Sequence, residues 1–225
     1  AVMGTVQFPG FVKKDAEPNF LDMDLFPTET AESLASSIMA GVTYPGYVTP
    51  QFVWDYYGVP SSAYNASVGA NNTNDMSVFE WGSYFNPTDV PAFMKQYTNI
   101  SSTTVVNTHG TNVWNCTANP NSCLEATLDV EYLAAVAPGV PIQYYNMNGT
   151  TYDEFTNFID IIMNLSPSPA VASISYGLGE IYVSDSTSSL FSTAASKAGL
   201  QGTSIFVSSG DDGVSGPNSR DNSNG

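Results

Sequence analysis

Residues 124–146 read LEATLDVEYLAAVAPGVPIQYYN, and their order decides the fold. Leu124 to Val136 carries apolar side chains at helical spacing, and Pro138-Gly139 cannot continue a helix. Pro141 to Tyr145 then reads as a strand. The same succession returns twice downstream. Tyr152 to Leu165 is predicted helical, with Phe155, Phe158, Ile159 and Ile162 inward, and Ala170 to Ser175 is predicted a strand. Ser188 to Ala198 predicts a helix, and Thr203 to Ser208 a strand that runs into Ser209-Gly-Asp-Asp-Gly-Val214. Strands of about six residues separated by helices of about ten or more imply βαβ crossovers and a parallel sheet. The expected class is α/β.

Ligand and catalytic groups of such sheets gather outside the carboxyl ends of the strands. That singles out Ser175-Tyr176-Gly177 and the Asp211-Asp212 loop. Upstream, Thr49 can cap a helix whose first turn holds Pro50, with Phe52, Val53, Tyr56 and Tyr57 at helical spacing. A sequon-bearing loop follows, and Pro87 to Tyr97 predicts another helix, opened by Thr88 or Asp89. Residues 1–48 read differently: a Pro- and Asp-rich stretch, one short helical pattern from Thr30 to Met39, and Gly-rich turn chemistry at their end. The expected organisation is residues 1–48 as an extension or prosegment remnant and 49–225 as one α/β unit.

Composition narrows the function. The 225 residues hold 21 acidic and 5 basic side chains, a formal net charge of -16. Lys13, Lys14, Lys95, Lys197 and Arg220 are scattered, which excludes the basic footprint that nucleic acid or an anionic membrane requires. No run of about 18 apolar residues predicts a membrane span. Six Asn-x-Ser/Thr sequons, at Asn65, Asn71, Asn99, Asn115, Asn148 and Asn164, fit a secretory-pathway protein, secreted or lysosomal/vacuolar. Cys116 and Cys123 bound a polar loop. A disulfide closing it is the preferred reading, with free thiols or a metal pair as alternatives, although no further Cys or His completes a zinc set.

Two acidic pairs stand out. Glu125 and Asp129 are four apart on a predicted helix and share one face. They read either as a solvated acidic face or, because apolar neighbours leave this helix little exposed surface, as an acid–base dyad that shares protons or hydrogen bonds. Asp211 and Asp212 read either as turn residues or as strand-end chemistry. Two decoys resemble other motifs. His109-Gly110-Thr111 is similar to the histidine motif of the subtilisins, but a Cys-bounded loop separates it from the helix that Glu125 opens. Gly202-Thr203-Ser204 enters a strand expected to be buried, so Ser204 reads as structural.

Several of these stretches together resemble the sedolisins, the serine-carboxyl peptidases. LEATLDVEYLAAVAPGVPIQYYN is similar to their E-x-x-x-D helix and following strand, PAVASISYGLGE to their SIS(W/Y)G strand end, and SIFVSSGDDGV to their strand ending in (A/S)GD-x-G. TPQFVWDYYGVP resembles the start of their catalytic domain, and FNPTDVPAFMKQY a helix near it. The likeness runs in family order from about Tyr47 to Val214.

The resemblance implies a subtilisin-like parallel sheet flanked by helices, incomplete in this chain, and a Ser-Glu-Asp triad active in acid. Glu125 would be the general base, Asp129 its orienting partner and Asp211 the oxyanion-hole acid, with Ser175, Tyr176 and Gly177 lining the substrate cleft. A carboxylate base suits acid, where histidine would be protonated. The family's SGTS-type nucleophile motif does not follow Asp211 here. The expected partner is therefore a C-terminal chain of the same precursor that carries the serine, and the family's calcium would likewise be held outside this chain. Two rivals stand beside this reading: an inactive sedolisin-like peptide-binding protein, and a carbohydrate-processing enzyme with paired carboxylates. The second is disfavoured by carboxylates one helical turn apart.

Overall fold

The computed structural model describes residues 48–64, 74–98, 100, 104–113, 116, 118–177, 179 and 182–210. The chain divides into two compact units, Val2–Pro60 and Ser61–Gly225. In the first, helix α1 (Pro50–Tyr56) starts as its sequence dictates. Thr49 Oγ1 accepts from the Phe52 amide at 3.2 Å, and Pro50 fills the first turn, where no amide donor is needed.

In the second unit the order is β1 (Met76–Trp81), α2 (Asp89–Tyr97), β2 (Val106–His109), α3 (Leu124–Val136), β3 (Ile142–Met147), α4 (Asp153–Met163), β4 (Val171–Ile174), α5 (Asp185–Leu200) and β5 (Ser204–Val207). A single 3-10 turn, Pro120–Ser122, precedes α3. The strands form one parallel sheet ordered β2-β3-β1-β4-β5, with helices on both faces. This is the α/β sheet read from the sequence, in the arrangement expected of part of a subtilisin-like domain.

Successive residues of a strand face opposite sides, so β1 feeds two cores. Met76 and Val78, with Ile142 and Tyr144 of β3, pack against Val90 and Met94 of α2 and against Ala126, Val130, Ala134 and Ala135 of α3. Phe79, with Tyr145, Ala172 and Ile174, packs against Phe158, Ile159 and Ile162 of α4 and Ala194 and Ala198 of α5. The small alanines of α3 and α5 let both helices lie close to the sheet.

Four sequence readings need correction. The central strand β1 lies where a loop was read, because MSVFEW is buried on both faces and shows no alternation, with Ser77 and Glu80 interrupting its apolar run. Strand β2 was also unread: VNTH is an exposed edge strand of polar residues. Strand β5 is not buried, for Ser204 and Phe206 face solvent. Helix α5 begins three residues early, because the Ser184 hydroxyl caps it by accepting from the Thr187 amide at 3.2 Å. The helical pattern at Thr30 to Met39 lies outside the described residues.

Candidate active site

The parallel sheet brings the carboxyl ends of β1 and β4 side by side, and α3 lies over them on one face. Glu80 leaves β1 toward α3, being in phase with Met76 and Val78. Its side chain is 0% exposed. The Tyr176 hydroxyl, just past β4, donates to Glu80 Oε2 at 2.9 Å. From above, α3 contributes Asp129, near enough to the Ser175 hydroxyl for it to favour the ionised carboxyl. Glu125, one turn earlier, is half-buried and close enough for its charge to act on Glu80.

Glu125, Asp129, Ser175 and Tyr176 are thus brought together around Glu80. Gly177 stands exposed at the same strand end. Asp211 and Asp212 lie outside the described residues, as do Asn65, Asn71, Asn99 and Asn115. Asn148 and Asn164 are exposed. Cys116 and Cys123 form a disulfide, with Cα atoms 5.6 Å apart, that closes the loop before α3.

Glu80 was missed. It sits in an unrecognised strand with no acidic neighbour at a telling spacing, and its one sequence signal is a lone carboxylate inside the apolar run SVFEW. Its surroundings make it unusual. Burial first, then the charge of Asp129, pushes its carboxyl up to about 9, against the hydrogen bond from Tyr176. Burial also raises Asp129, while Ser175 and Glu80 pull the other way. Glu80 Oε1 and Asp129 Oδ2 are sealed from solvent and make no hydrogen bond of ordinary geometry, although each carboxyl lies near enough to affect the other's titration. A single proton shared between the two satisfies both oxygens; two bare charges there would be untenable. The pair therefore keeps a proton through neutral pH.

The frame around these carboxyls is tied to β1. Ser83, buried just past the strand, accepts from the Ala126 amide in the first turn of α3 at 3.2 Å and donates to the Ser122 carbonyl at 3.3 Å. The Tyr84 amide reaches the same Ser122 carbonyl at 2.9 Å, and the Tyr144 hydroxyl donates to the Ser83 carbonyl. No side chain of Cys123 caps the helix, so Ser83 supplies the missing acceptor from 43 residues away.

His109 is placed elsewhere. Its ring stacks on Tyr145, centroids 4.3 Å apart, and its Nε2 lies 2.8 Å from Gln143 Oε1. Gln143 Nε2 donates to Asp75 Oδ2 at 2.7 Å. Tyr145 belongs to the α4–α5 side of the sheet, so the histidine is on the face opposite the carboxyls. Ser204, at the start of β5, sits at the amino end of its strand, remote from strand-end chemistry. Helix α3 is less covered than its composition suggested, with Leu128 51% exposed beside Glu125. Among the described residues no three His, Cys, Asp or Glu side chains group as a metal site, and no helix is long and apolar enough to cross a membrane.

No family model matches the chain. Curated relatives do. Physarolisin of Physarum polycephalum is 27% identical over 85% of this chain and 33% of its own length. Tripeptidyl-peptidase 1 of Dictyostelium discoideum is 29% identical over 75% of this chain and 27% of its own, and its human counterpart 25% over 74% and 29%. The chain thus spans about a third of the length of the curated relatives it matches. These homologues are members of the sedolisin family, the family its motifs resemble.

Proposed function

We propose that the chain provides the acid–base part of an acid-acting serine-carboxyl peptidase. One observation carries the reading: Asp129, a turn after Glu125, is backed by buried, proton-retaining Glu80 and by Ser175. A solvated acidic helix face has no use for such backing. Glu125 is the base, Asp129 orients it, and the Glu80–Asp129 proton sets how much negative charge the pair can carry. Asp211 is the oxyanion-hole acid.

The chemistry runs in two halves. A serine hydroxyl gives its proton to Glu125 as its oxygen bonds to the peptide carbonyl carbon, and the carbonyl π pair moves to oxygen, where protonated Asp211 donates a hydrogen bond. Collapse expels the amine, which takes the proton back from Glu125. Water then repeats the sequence on the acyl-enzyme and releases the serine.

The serine comes from a segment outside this sequence. Ser204 and Phe206 alternate away from Ile205 and Val207, which pack under α5, so they face the α3 side; Phe206 is 47% exposed there. Parallel sheets are covered on both faces, and the serine-bearing segment is the proposed cover. Calcium, if the family habit holds, sits in that same segment, and no step above passes through it. One relative's name supplies a tripeptidyl-peptidase reading, with an endopeptidase as the alternative, and the proposed setting is secreted or lysosomal/vacuolar with glycans at exposed Asn148 and Asn164. The test is peptide hydrolysis from pH 2 to 8 by the purified protein, with its mass under native and denaturing conditions. Activity confined to acid, in a particle that separates into this chain and a partner, is expected. Activity that persists unchanged to pH 8 sinks the carboxylate-base mechanism.

A further inference from the structure

The structure carries a second feature at the same strand ends, on the opposite face from the carboxyls. Trp81, the last residue of β1, stands against Tyr152 and Phe155 at the start of α4, each ring centroid 5.8 Å away and near perpendicular. Its indole N–H donates to the Gly149 carbonyl at 2.7 Å. That bond fixes the ring and uses its only donor, so Trp81 offers an approaching group nothing but apolar surface. Tyr152 is 38% exposed, and the rings therefore form a rim rather than a sealed core.

Tyr176 joins this rim to the carboxyls. Its ring packs edge-on against Phe79, 5.5 Å away, and Phe79 in turn contacts Trp81 and Phe155, while its hydroxyl holds Glu80. A ligand seated over Tyr176 reaches acid–base chemistry on one side and aromatic surface on the other. Two carboxylates of the same turn are engaged: Glu154 accepts from Asn157 Nδ2 at 3.0 Å and Asp153 from the Thr151 hydroxyl at 3.3 Å.

We propose that Trp81 and Tyr152 form a specificity subsite that receives an apolar side chain of the peptide substrate, beside the scissile bond held at Tyr176 and Glu125. The proposal rests on the peptidase reading above. Trp81 and Tyr152 select by contact area and ring geometry, so large aliphatic and aromatic side chains are favoured over small or charged ones.

The test uses the assembled, active protein and a set of peptides that differ in one side chain (Phe, Leu, Ala, Glu or Lys), scanned through each of three positions on the amino side of the cleaved bond. At one position the wild type should prefer Phe or Leu over Ala by tenfold or more in kcat/KM. Trp81→Ala should shrink that ratio at least tenfold, Trp81→Phe should restore most of it, and Tyr152→Ala should shrink it less. A uniform loss across all side chains, with the ratio kept, overturns the subsite and leaves the peptidase reading intact. So does a preference for Lys, which would point to Glu154 instead. If the wild type cleaves no peptide at any pH, the peptidase reading and the subsite fall together. Thermal midpoints of the variants separate misfolding from lost selectivity, and Tyr152→Ala, on the surface, keeps the proposal testable should Trp81→Ala not fold.

Discussion

The two faces of strand β1 differ in what they bury. Toward α4 and α5, Phe79 meets Phe155, Phe158 and Tyr176 in a cluster of rings with ordinary core packing. Toward α3, one residue later, Glu80 is equally buried among carboxyls and hydroxyls. The first face lowers free energy by removing apolar area from water. The second raises it, since desolvated carboxyls cost more than they return unless a proton is shared. A strand that tolerates both has one face for stability and one for chemistry.

The contrast can be broken. On the acid face, Glu125→Gln should lower turnover by about 10⁴-fold or more, as loss of a general base does, with the thermal midpoint nearly unchanged. Near wild-type hydrolysis would remove Glu125 from the mechanism. Asp211→Ala should cost about 100- to 1000-fold, the usual loss for an oxyanion donor, whereas Asp211→Asn, still a neutral donor, should retain more activity toward neutral pH. Equal pH profiles for the two would argue against that role.

On the apolar face, Phe158→Ala should destabilise the protein by about 3–5 kcal/mol without altering how stability depends on pH. Glu80→Gln tests that dependence itself. An unfolded glutamate ionises near pH 4.5, but folded Glu80 holds its proton to about 9, so its contribution to stability is complete below the first value and declines as pH rises toward the second. Urea midpoints of the wild type should therefore fall between pH 5 and 9, and those of Glu80→Gln should fall less. Parallel decline would mean that Glu80 is not the group holding the proton. The smallest effect is expected at the rim of the acid face. Phe206→Ser should change the stability of this chain alone by no more than about 0.5 kcal/mol, yet weaken any complex in which that face is covered.

How much of this the sequence disclosed follows from the same contrast. Helices α3 and α4 and strands β3 to β5 were legible because amphipathic spacing and Pro-Gly stops are local signals. Glu125 and Asp129 were legible because one helical turn separates them. Strand β1 was not, since a strand buried on both faces has no alternation to read. Glu80 was hidden with it: its meaning comes from Asp129 and Tyr176, residues 49 and 96 positions away, brought near only by the parallel register. His109 carried a conspicuous local motif and proved to face the other side. Motif strength and spatial role part company wherever tertiary pairing assigns the face.

Ser83 has a consequence for how this site can vary. Two residues separate it from Glu80, and its hydroxyl, with the Tyr84 amide, ties Ser122 and the first turn of α3 to the end of β1. Glu125, the proposed base, and Glu80 are therefore mounted on one bracket, anchored at Ser83 and Tyr84. Extra residues between Asn86 and Asp89 would be absorbed at the surface, but one inserted between Glu80 and Ser83 would slide Glu125 along the sheet by the rise of one strand residue, about 3.3 Å. That is longer than a hydrogen bond. The span from Glu80 to Ser83 is thus a part of the molecule where length matters as well as residue type.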